Sequence, residues 1–168
     1  MYRSILVPLD GSPLAEGIMP FVTDIAGPLD MTVILLRVVP PVIPEEPLVG
    51  SRALVKALEG KGAEARDYLV AIAEDLWRRG VRAESRIRYG FPAAEIVAAG
   101  REMGADLIAM TTHGRTGFKR LIYGSIAEAV LREADSPVLL MRLSAPSASA
   151  HATHLRVGRD LRSKGAAA

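Results

Sequence analysis

The segment of this sequence best suited to chemistry is a glycine-rich stretch at residues 111–120, which reads TTHGRTGFKR. It follows an apolar run directly, and residues 123–125 (Tyr-Gly-Ser) then open a predicted helix. Glycines let a backbone approach a ligand closely, and a helix N-terminus presents unpaired N–H groups and a positive dipole end. Together they favour phosphate oxygens, which the Ser125 hydroxyl could also contact. The alternative is an ordinary connection whose glycines serve only for turns.

Two better-known phosphate-binding patterns are absent from the sequence. The P-loop requires Gly-Lys followed by Ser or Thr, whereas Gly60-Lys61 is followed by Gly62. The Rossmann fingerprint places three glycines after the first strand, and the sequence Asp10-Gly11-Ser12 contains only one. A phosphate site in this chain must therefore be built in another way.

Asp10 stands where the first predicted strand ends. A carboxylate there could accept hydrogen bonds from ribose hydroxyls or approach Mg²⁺ bound to phosphates. The alternative is an Asx turn or a helix cap shared with Ser12. Pro8 also indicates that pairing ends here, because proline is tolerated in a parallel strand only where pairing has stopped.

The elements that must position these residues alternate between strand and helix along the chain. Apolar runs predict five strands, and apolar residues at intervals of three and four predict four helices between them. The strands are residues 4–9, 32–39, 82–89, 105–112 and 137–142, and the helices are 13–26, 52–79, 92–103 and 121–134. Right-handed crossovers then give a five-stranded, parallel, doubly wound sheet with helices on both faces. The expected fold is a Rossmann-like nucleotide-binding α/β fold with the strand order 3-2-1-4-5. Ligand crevices in such folds lie at the carboxyl ends of strands where the winding reverses.

Several segments have simpler interpretations. The proline-rich segment 40–50 is predicted to be a mobile loop, and the 52–79 helix could be interrupted near Gly60 and Gly62. Trp77 is placed on the core face of that helix rather than in a ligand site. Residues 143–168 are rich in Ala and Ser and are predicted to be a disordered tail, in which His151 and His154 lack the further ligands of a metal site.

Composition excludes several classes of protein. The chain has 168 residues, a net charge of +2 and no cysteine, so disulfides and thiolate zinc sites are excluded. Its longest apolar stretch, residues 33–43, is interrupted by Arg37 and two prolines, and a membrane helix needs about 20 apolar residues. Four cations against Asp160 concentrate positive charge in the tail, so the body has no excess suited to specific nucleic-acid binding. A cytoplasmic protein is the expectation.

The sequence resembles the universal stress proteins. The resemblance rests on four stretches in the correct order, spans residues 2–142 and predicts one domain at 1–142. The stretches are residues 5–12 (ILVPLDGS), 36–38 (LRV), 105–110 (ADLIAM), and 113–117 (HGRTG) through Gly124-Ser125 to 137–140 (PVLL).

The resemblance to the ATP-binding branch of the family implies the site. That branch carries Gly, two residues, Gly, nine residues, then Gly followed by Ser or Thr; Gly114, Gly124 and Ser125 fit this spacing. It implies that Pro8 and the Val38 backbone contact adenine, and that Asp10 contacts ribose or a nucleotide-bound Mg²⁺ or Mn²⁺. The residues implied around the phosphates and ribose are Gly114, Arg115, Thr116, Gly117, Gly124, Ser125 and Ile126.

Two positions depart from the family pattern. The first glycine of the motif falls on Thr111, whose Cβ either crowds the ligand or lines it, depending on whether the backbone there needs a positive φ. Arg37 stands where the family usually has histidine, a change that a main-chain adenine contact at Val38 would survive.

The resemblance implies an adenine-nucleotide-binding stress-response protein that acts as a switch or binder with little or no hydrolysis. Asp10 and His113 are the only crevice residues that could act in catalysis. Of the two, His113 is better explained as a residue that packs or hydrogen bonds within its loop. The alternative is an interaction module of the same fold that does not bind nucleotide. The family also pairs its last strand across a two-fold axis, and the apolar edge at residues 137–142 favours such a homodimer.

Overall fold

A computed structural model describes residues 2–41, 51–113 and 124–143 of the chain. The strands are β1 (Ser4–Pro8), β2 (Thr32–Val39), β3 (Ala83–Tyr89), β4 (Leu107–His113) and β5 (Val138–Leu143). The helices are α1 (Pro13–Glu16), α2 (Met19–Ala26), α3 (Ser51–Arg78), α4 (Pro92–Glu102) and α5 (Ser125–Glu133). Residues 42–50 of the predicted mobile loop and 144–168 of the predicted tail lie outside the described residues.

The five strands form one parallel sheet in the order β3-β2-β1-β4-β5. Strand β1 lies at its centre, where residues 4–8 pair with residues 32–36 of β2 and Ile5 and Leu6 pair with Leu107 and Ile108 of β4. The predicted fold class and strand order are therefore confirmed.

Both faces of the sheet are covered, which explains why the central strands are apolar at nearly every position. Alternate residues of a strand point to opposite faces. Ile5, Val7, Val33 and Leu35 pack with α2 and α3, whereas Leu6, Leu36 and Ile108 pack with α4 and α5.

The predicted helix at residues 13–26 is wrong as a single element, because the chain forms α1 and α2 instead. Gly17 donates its N–H to Pro13 and Leu14, and Ile18 donates to Ala15, so the first helix closes in a tight turn. The cause is Pro20, which has no N–H to donate to the Glu16 carbonyl and whose ring would clash with it in a continuous helix.

Helix α3 runs uninterrupted through Gly60 and Gly62. The placement of Trp77 on its core face is wrong, because Trp77 is 57% exposed while Leu69, Ala73 and Leu76 are buried. The Trp77 indole N–H donates to the Ala83 carbonyl at 3.2 Å, so the ring lies across the start of β3 at the surface.

Asp106 joins the central strands at their amino ends. One of its carboxylate oxygens accepts hydrogen bonds from the Arg3 N–H at 2.7 Å and the Ser4 N–H at 3.0 Å. These backbone hydrogen bonds hold the pKa of Asp106 below its usual value, and the one from Arg3 has the largest effect. The candidate functional site lies at the opposite, carboxyl ends of the same strands.

No helix within the described residues is long and apolar enough to cross a membrane.

Candidate functional site

The crevice at the carboxyl ends of β1 and β4 follows from the direction in which the chain leaves these neighbouring strands. After β1 the chain passes to α1 and α2 on one face of the sheet, and after β4 it reaches α5 on the other face. The connections diverge, so the winding reverses between β1 and β4 and leaves a gap at that edge.

A cleft of about 220 Å³ occupies this gap, and its lining combines apolar and polar residues. The apolar wall is the name used here for Pro8, Leu36, Val38, Pro92, Ile96 and Met110. The rest of the lining includes Asp10, Ser12, Thr111, Thr112, Gly124 and Ser125. Such a surface suits a ligand with a flat apolar part and an anionic or hydroxylated part.

All seven of the predicted site residues that the structure describes line this cleft: Pro8, Asp10, Val38, Thr111, Gly124, Ser125 and Ile126. The other four, Gly114, Arg115, Thr116 and Gly117, lie outside the described residues. His113 is the last residue of β4. The roles assigned to these residues stay predictions.

The backbone of Val38 faces the cleft because β1 ends before β2 does. Pairing of β1 with β2 stops at Pro8 and Leu36, after which Leu9 donates its N–H to the Leu36 carbonyl at 2.8 Å. Backbone groups of alternate residues point to the same side of a strand, so those of Val38 point to the side on which β1 has already ended. This edge is available to hydrogen bond with a planar heterocycle.

The first turn of α5 lines the cleft and presents backbone N–H groups that could bind an anion. Its N-cap residue is Gly124, and no side chain among the described residues caps the helix. The first intrahelical donor is the Glu128 N–H, which bonds to the Gly124 carbonyl at 2.9 Å. The amides of residues 125–127 therefore lack intrahelical partners at the positive end of the helix dipole.

Asp10 takes part in a local turn and also lines the cleft. One of its carboxylate oxygens accepts the Ser12 N–H at 2.9 Å, while the Ser12 hydroxyl accepts the Ala15 N–H at 3.1 Å and caps α1. The Asx-turn alternative is thus present in the structure, and it leaves the second carboxylate oxygen available. Burial raises the pKa of Asp10, but hydrogen bonds from Ser12 and the charge of Arg37 outweigh it, and the pKa lies below its ordinary value.

Arg37 lies on the other face of the sheet, from which it supports the turn that contains Asp10. Its guanidinium donates to the Leu9 carbonyl at 3.3 Å and lies 5.8 Å from the centre of the Tyr68 ring. Gly11 has a φ of +80°, and a Cβ there would lie 3.2 Å from an Arg37 nitrogen. The left-handed backbone at this position favours glycine, and a larger residue would also require the end of the Arg37 side chain to shift.

The structure answers the question that the sequence left open at Thr111. Among the described non-glycine residues, Asp30 alone has a positive φ. Thr111 is an ordinary strand residue that pairs with Met141 of β5. Its backbone does not require glycine, and its half-buried side chain lines the cleft.

Sequence reasoning missed part of the apolar wall and two polar residues, Ser12 and Thr112. Pro92 and Ile96 lie at the start of α4 and line the cleft. They are far from the first strand in sequence, and nothing in the sequence indicated that they would reach the cleft. Thr112 is 3% exposed and lines the cleft. A polar residue two positions after the buried Met110, on the same face of β4, is the signal that could have identified it.

The described residues provide little acid–base or metal chemistry of their own. They contain no group of three His, Cys, Asp or Glu side chains that could hold a metal ion. Asp10 has a lowered pKa, which makes it a poor general base. One carboxylate does suit Mg²⁺ when phosphates supply further ligands, so the lining fits a nucleotide and its metal.

The comparisons with known proteins agree with this fold. The family model described as Universal stress protein family matches residues 1–142. Universal stress protein MJ0531 of Methanocaldococcus jannaschii is 35% identical over 148 residues, which cover 84% of this chain and 83% of that protein.

Two solved structures illustrate the similarity. That of MJ0577, a universal stress protein of the same organism, superposes with a TM-score of 0.69 at 28% identity and covers 86% of this chain and 98% of its own. A universal stress protein family protein from Arabidopsis thaliana, solved with AMP bound, superposes with a TM-score of 0.63 at 15% identity over 85% and 93% of the two chains. At that identity the second similarity concerns the fold alone.

Proposed function

Because this chain belongs to the universal stress protein family, we propose that its cleft binds an adenine nucleotide, and ATP in particular. The observation that carries the proposal is the lining of the cleft, which combines an apolar wall with an uncapped helix N-terminus. The AMP bound to the Arabidopsis protein of the same fold supports the choice of an adenine nucleotide.

The base would lie against the apolar wall. Pro8, Ile96 and Met110 offer aliphatic surface to a purine ring, and the backbone of Val38 offers hydrogen-bonding groups along its edge. Main-chain recognition does not depend on the identity of the neighbouring side chain, so Arg37 in place of histidine is compatible with it.

The phosphates would lie at the N-terminus of α5. The amides after Gly124 and the Ser125 hydroxyl provide donors for phosphate oxygens. The proposal also assigns Gly114, Arg115, Thr116 and Gly117 to the phosphates and ribose. Asp10 would accept a hydrogen bond from a ribose hydroxyl or bind a nucleotide-associated Mg²⁺ or Mn²⁺.

We further propose that the protein binds ATP without hydrolysing it efficiently. Efficient hydrolysis needs a group that orients or deprotonates water and groups that stabilise charge in the transition state. Asp10, whose pKa is lowered, is the only carboxylate among the described lining residues. Turnover near one per second with Mg²⁺, lost in Asp10→Ala, would contradict this part of the proposal.

Calorimetric titration of the full chain with ATP and Mg²⁺ tests the proposal, and Gly124 offers a matched pair of variants. Gly124→Asp places a negative charge at the N-cap, where Asp itself is well tolerated by a helix, so we expect the fold to survive while phosphate is repelled. Affinity should fall at least about tenfold, or ~1.4 kcal/mol. Gly124→Ala adds neither a charge nor an oxygen that could occupy the amides of the first turn, and it should retain most of the affinity.

Absence of binding by the unmodified chain would contradict the proposal and favour an interaction module that does not bind nucleotide. Equal losses in the two Gly124 variants would show that the charge at the N-cap is not what matters, and would contradict the placement of the phosphates.

A further inference from the structure

Among the described residues, the buried Thr112 side chain has no hydrogen-bond partner. Thr112 is 3% exposed, and it is the only polar or charged residue in the buried set of the described chain. Its hydroxyl oxygen makes no hydrogen bond with the described residues. A buried polar group without a partner is unusual in a folded protein, because burial removes water and the protein normally replaces it.

The fold alone does not account for a hydroxyl at this position. The backbone of Thr112 is paired with Arg142 in the sheet, which requires no particular side chain. Valine has nearly the same shape and is equally suited to a strand. The hydroxyl therefore contributes nothing to packing that a methyl group would not, and it opposes folding.

The position of Thr112 in the cleft indicates what the hydroxyl is for. It lies on the same face of β4 as Met110, one pleat nearer the carboxyl end, and both residues line the cleft. Met110 belongs to the apolar wall, and Ala127 of the first turn of α5 is buried and lines the same cleft. Thr112 thus lines a cleft that also contains the surface suited to a base and the amides suited to phosphate.

We propose that the Thr112 hydroxyl is a ligand-binding group that hydrogen bonds to an oxygen of the ribose–phosphate part of the nucleotide. This inference rests on the proposed function and adds to it a residue that the family motif does not specify. Its consequence is that one group has opposite effects on two equilibria: the hydroxyl lowers the stability of the protein alone and raises its affinity for nucleotide.

The experiment measures both equilibria in the full-length protein for Thr112→Val and Thr112→Ser. Without nucleotide, we expect Thr112→Val to unfold at the same or a higher denaturant concentration than the unmodified protein, because it removes an unpaired polar group without changing shape. With Mg²⁺ and ATP, calorimetry should show its Kd raised about five- to tenfold, the usual effect of losing one hydrogen bond. Thr112→Ser keeps the hydroxyl and should restore most of the affinity.

Thr23 provides the matched control. Its hydroxyl donates to the Met19 carbonyl at 2.8 Å within α2, away from the cleft. Thr23→Val makes the same chemical change at a satisfied hydroxyl, so it should lower stability and leave the Kd for ATP unchanged.

Adenosine as a second ligand identifies the oxygen that is bound. A loss of affinity for both adenosine and ATP in Thr112→Val assigns the bond to the ribose, and a loss for ATP alone assigns it to a phosphate; either result supports the proposal. An unchanged Kd in Thr112→Val, with binding by the unmodified protein intact, overturns it. So does a Thr112→Val variant that is both less stable and weaker in binding, because the hydroxyl would then serve the fold. If the unmodified protein binds neither ligand, the proposed function fails and this inference fails with it.

Discussion

Arg37 and Asp10 act on the same turn from opposite faces of the sheet. The Arg37 guanidinium holds the Leu9 carbonyl and occupies the space that a side chain at Gly11 would need. Its charge also favours the ionised form of Asp10. Arg37 therefore supports the position of Asp10, and its charge adds to the larger effect of the Ser12 hydrogen bonds in lowering the pKa of that carboxyl group.

Replacing Arg37 with glutamine should raise the pKa of Asp10 toward its ordinary value of 3.8. A positive charge nearby lowers the pKa of a carboxyl group, so removing that charge has the opposite sign. Carbon-detected NMR titration of the Asp10 carboxyl measures the change directly. Arg86→Gln is the control, since Arg86 pairs with Glu84 on β3 at the edge of the sheet. An Asp10 titration that is the same in Arg37→Gln as in the unmodified protein would contradict the supporting role of Arg37.

At the scale of the elements, α3 contains two glycines, two residues apart, that differ in the space around them. Gly62 is buried, and a Cβ there would collide with the Tyr89 hydroxyl, so Tyr89 of β3 packs directly onto the helix backbone. Gly60 is exposed, and a Cβ there would meet nothing within 4 Å among the described residues.

Gly60→Ala should stabilise the protein by about 1 kcal/mol, because alanine is the better residue in a helix interior. Gly62→Ala should stabilise it less, since the new methyl group must displace the Tyr89 side chain. Equilibrium denaturation in urea measures both values, and repeating it in the Tyr89→Ala background provides the control. There the two substitutions should become equivalent; a persistent difference would mean that Tyr89 is not the cause.

At the scale of the whole molecule, the sheet has two edges of different character. Strand β3 at one edge carries Glu84, Arg86 and Arg88. Strand β5 at the other edge has four consecutive apolar residues, 138–141, each half-buried, and pairs with β4 on one side. An apolar edge strand tends to acquire a partner, whereas charges on an edge oppose this.

We expect β5 to pair with its copy in a homodimer. Sedimentation equilibrium at micromolar concentration should give the mass of two chains. Met141→Lys should shift the protein toward the monomer, because a charge on the edge disfavours pairing. Leu131→Lys, at a 45% exposed position of α5, should leave the dimer intact. An unmodified protein with the mass of one chain would contradict the expectation.

The parts of the molecule that the sequence predicted are those determined by local pattern. Apolar runs separated by helical periods predicted the five strands, right-handed crossovers predicted a doubly wound sheet, and the glycine-rich segment after β4 marked the edge where the cleft lies. The break at Pro20 was missed because apolar residues recur at helical intervals on both sides of it, as they would in one continuous helix. Trp77 and Thr112 were missed for a different reason: their environments depend on contacts with β3 and the cleft, which residue spacing alone does not specify.

A crystal structure of the protein grown with ATP and Mg²⁺ is the most direct test of the central claim. We predict that the base will lie against Pro8 and Met110 with its edge at the backbone of Val38, and that the phosphates will lie at the first turn of α5. ATP bound elsewhere on the protein, or a cleft closed by its own side chains with no nucleotide in it, would contradict the account.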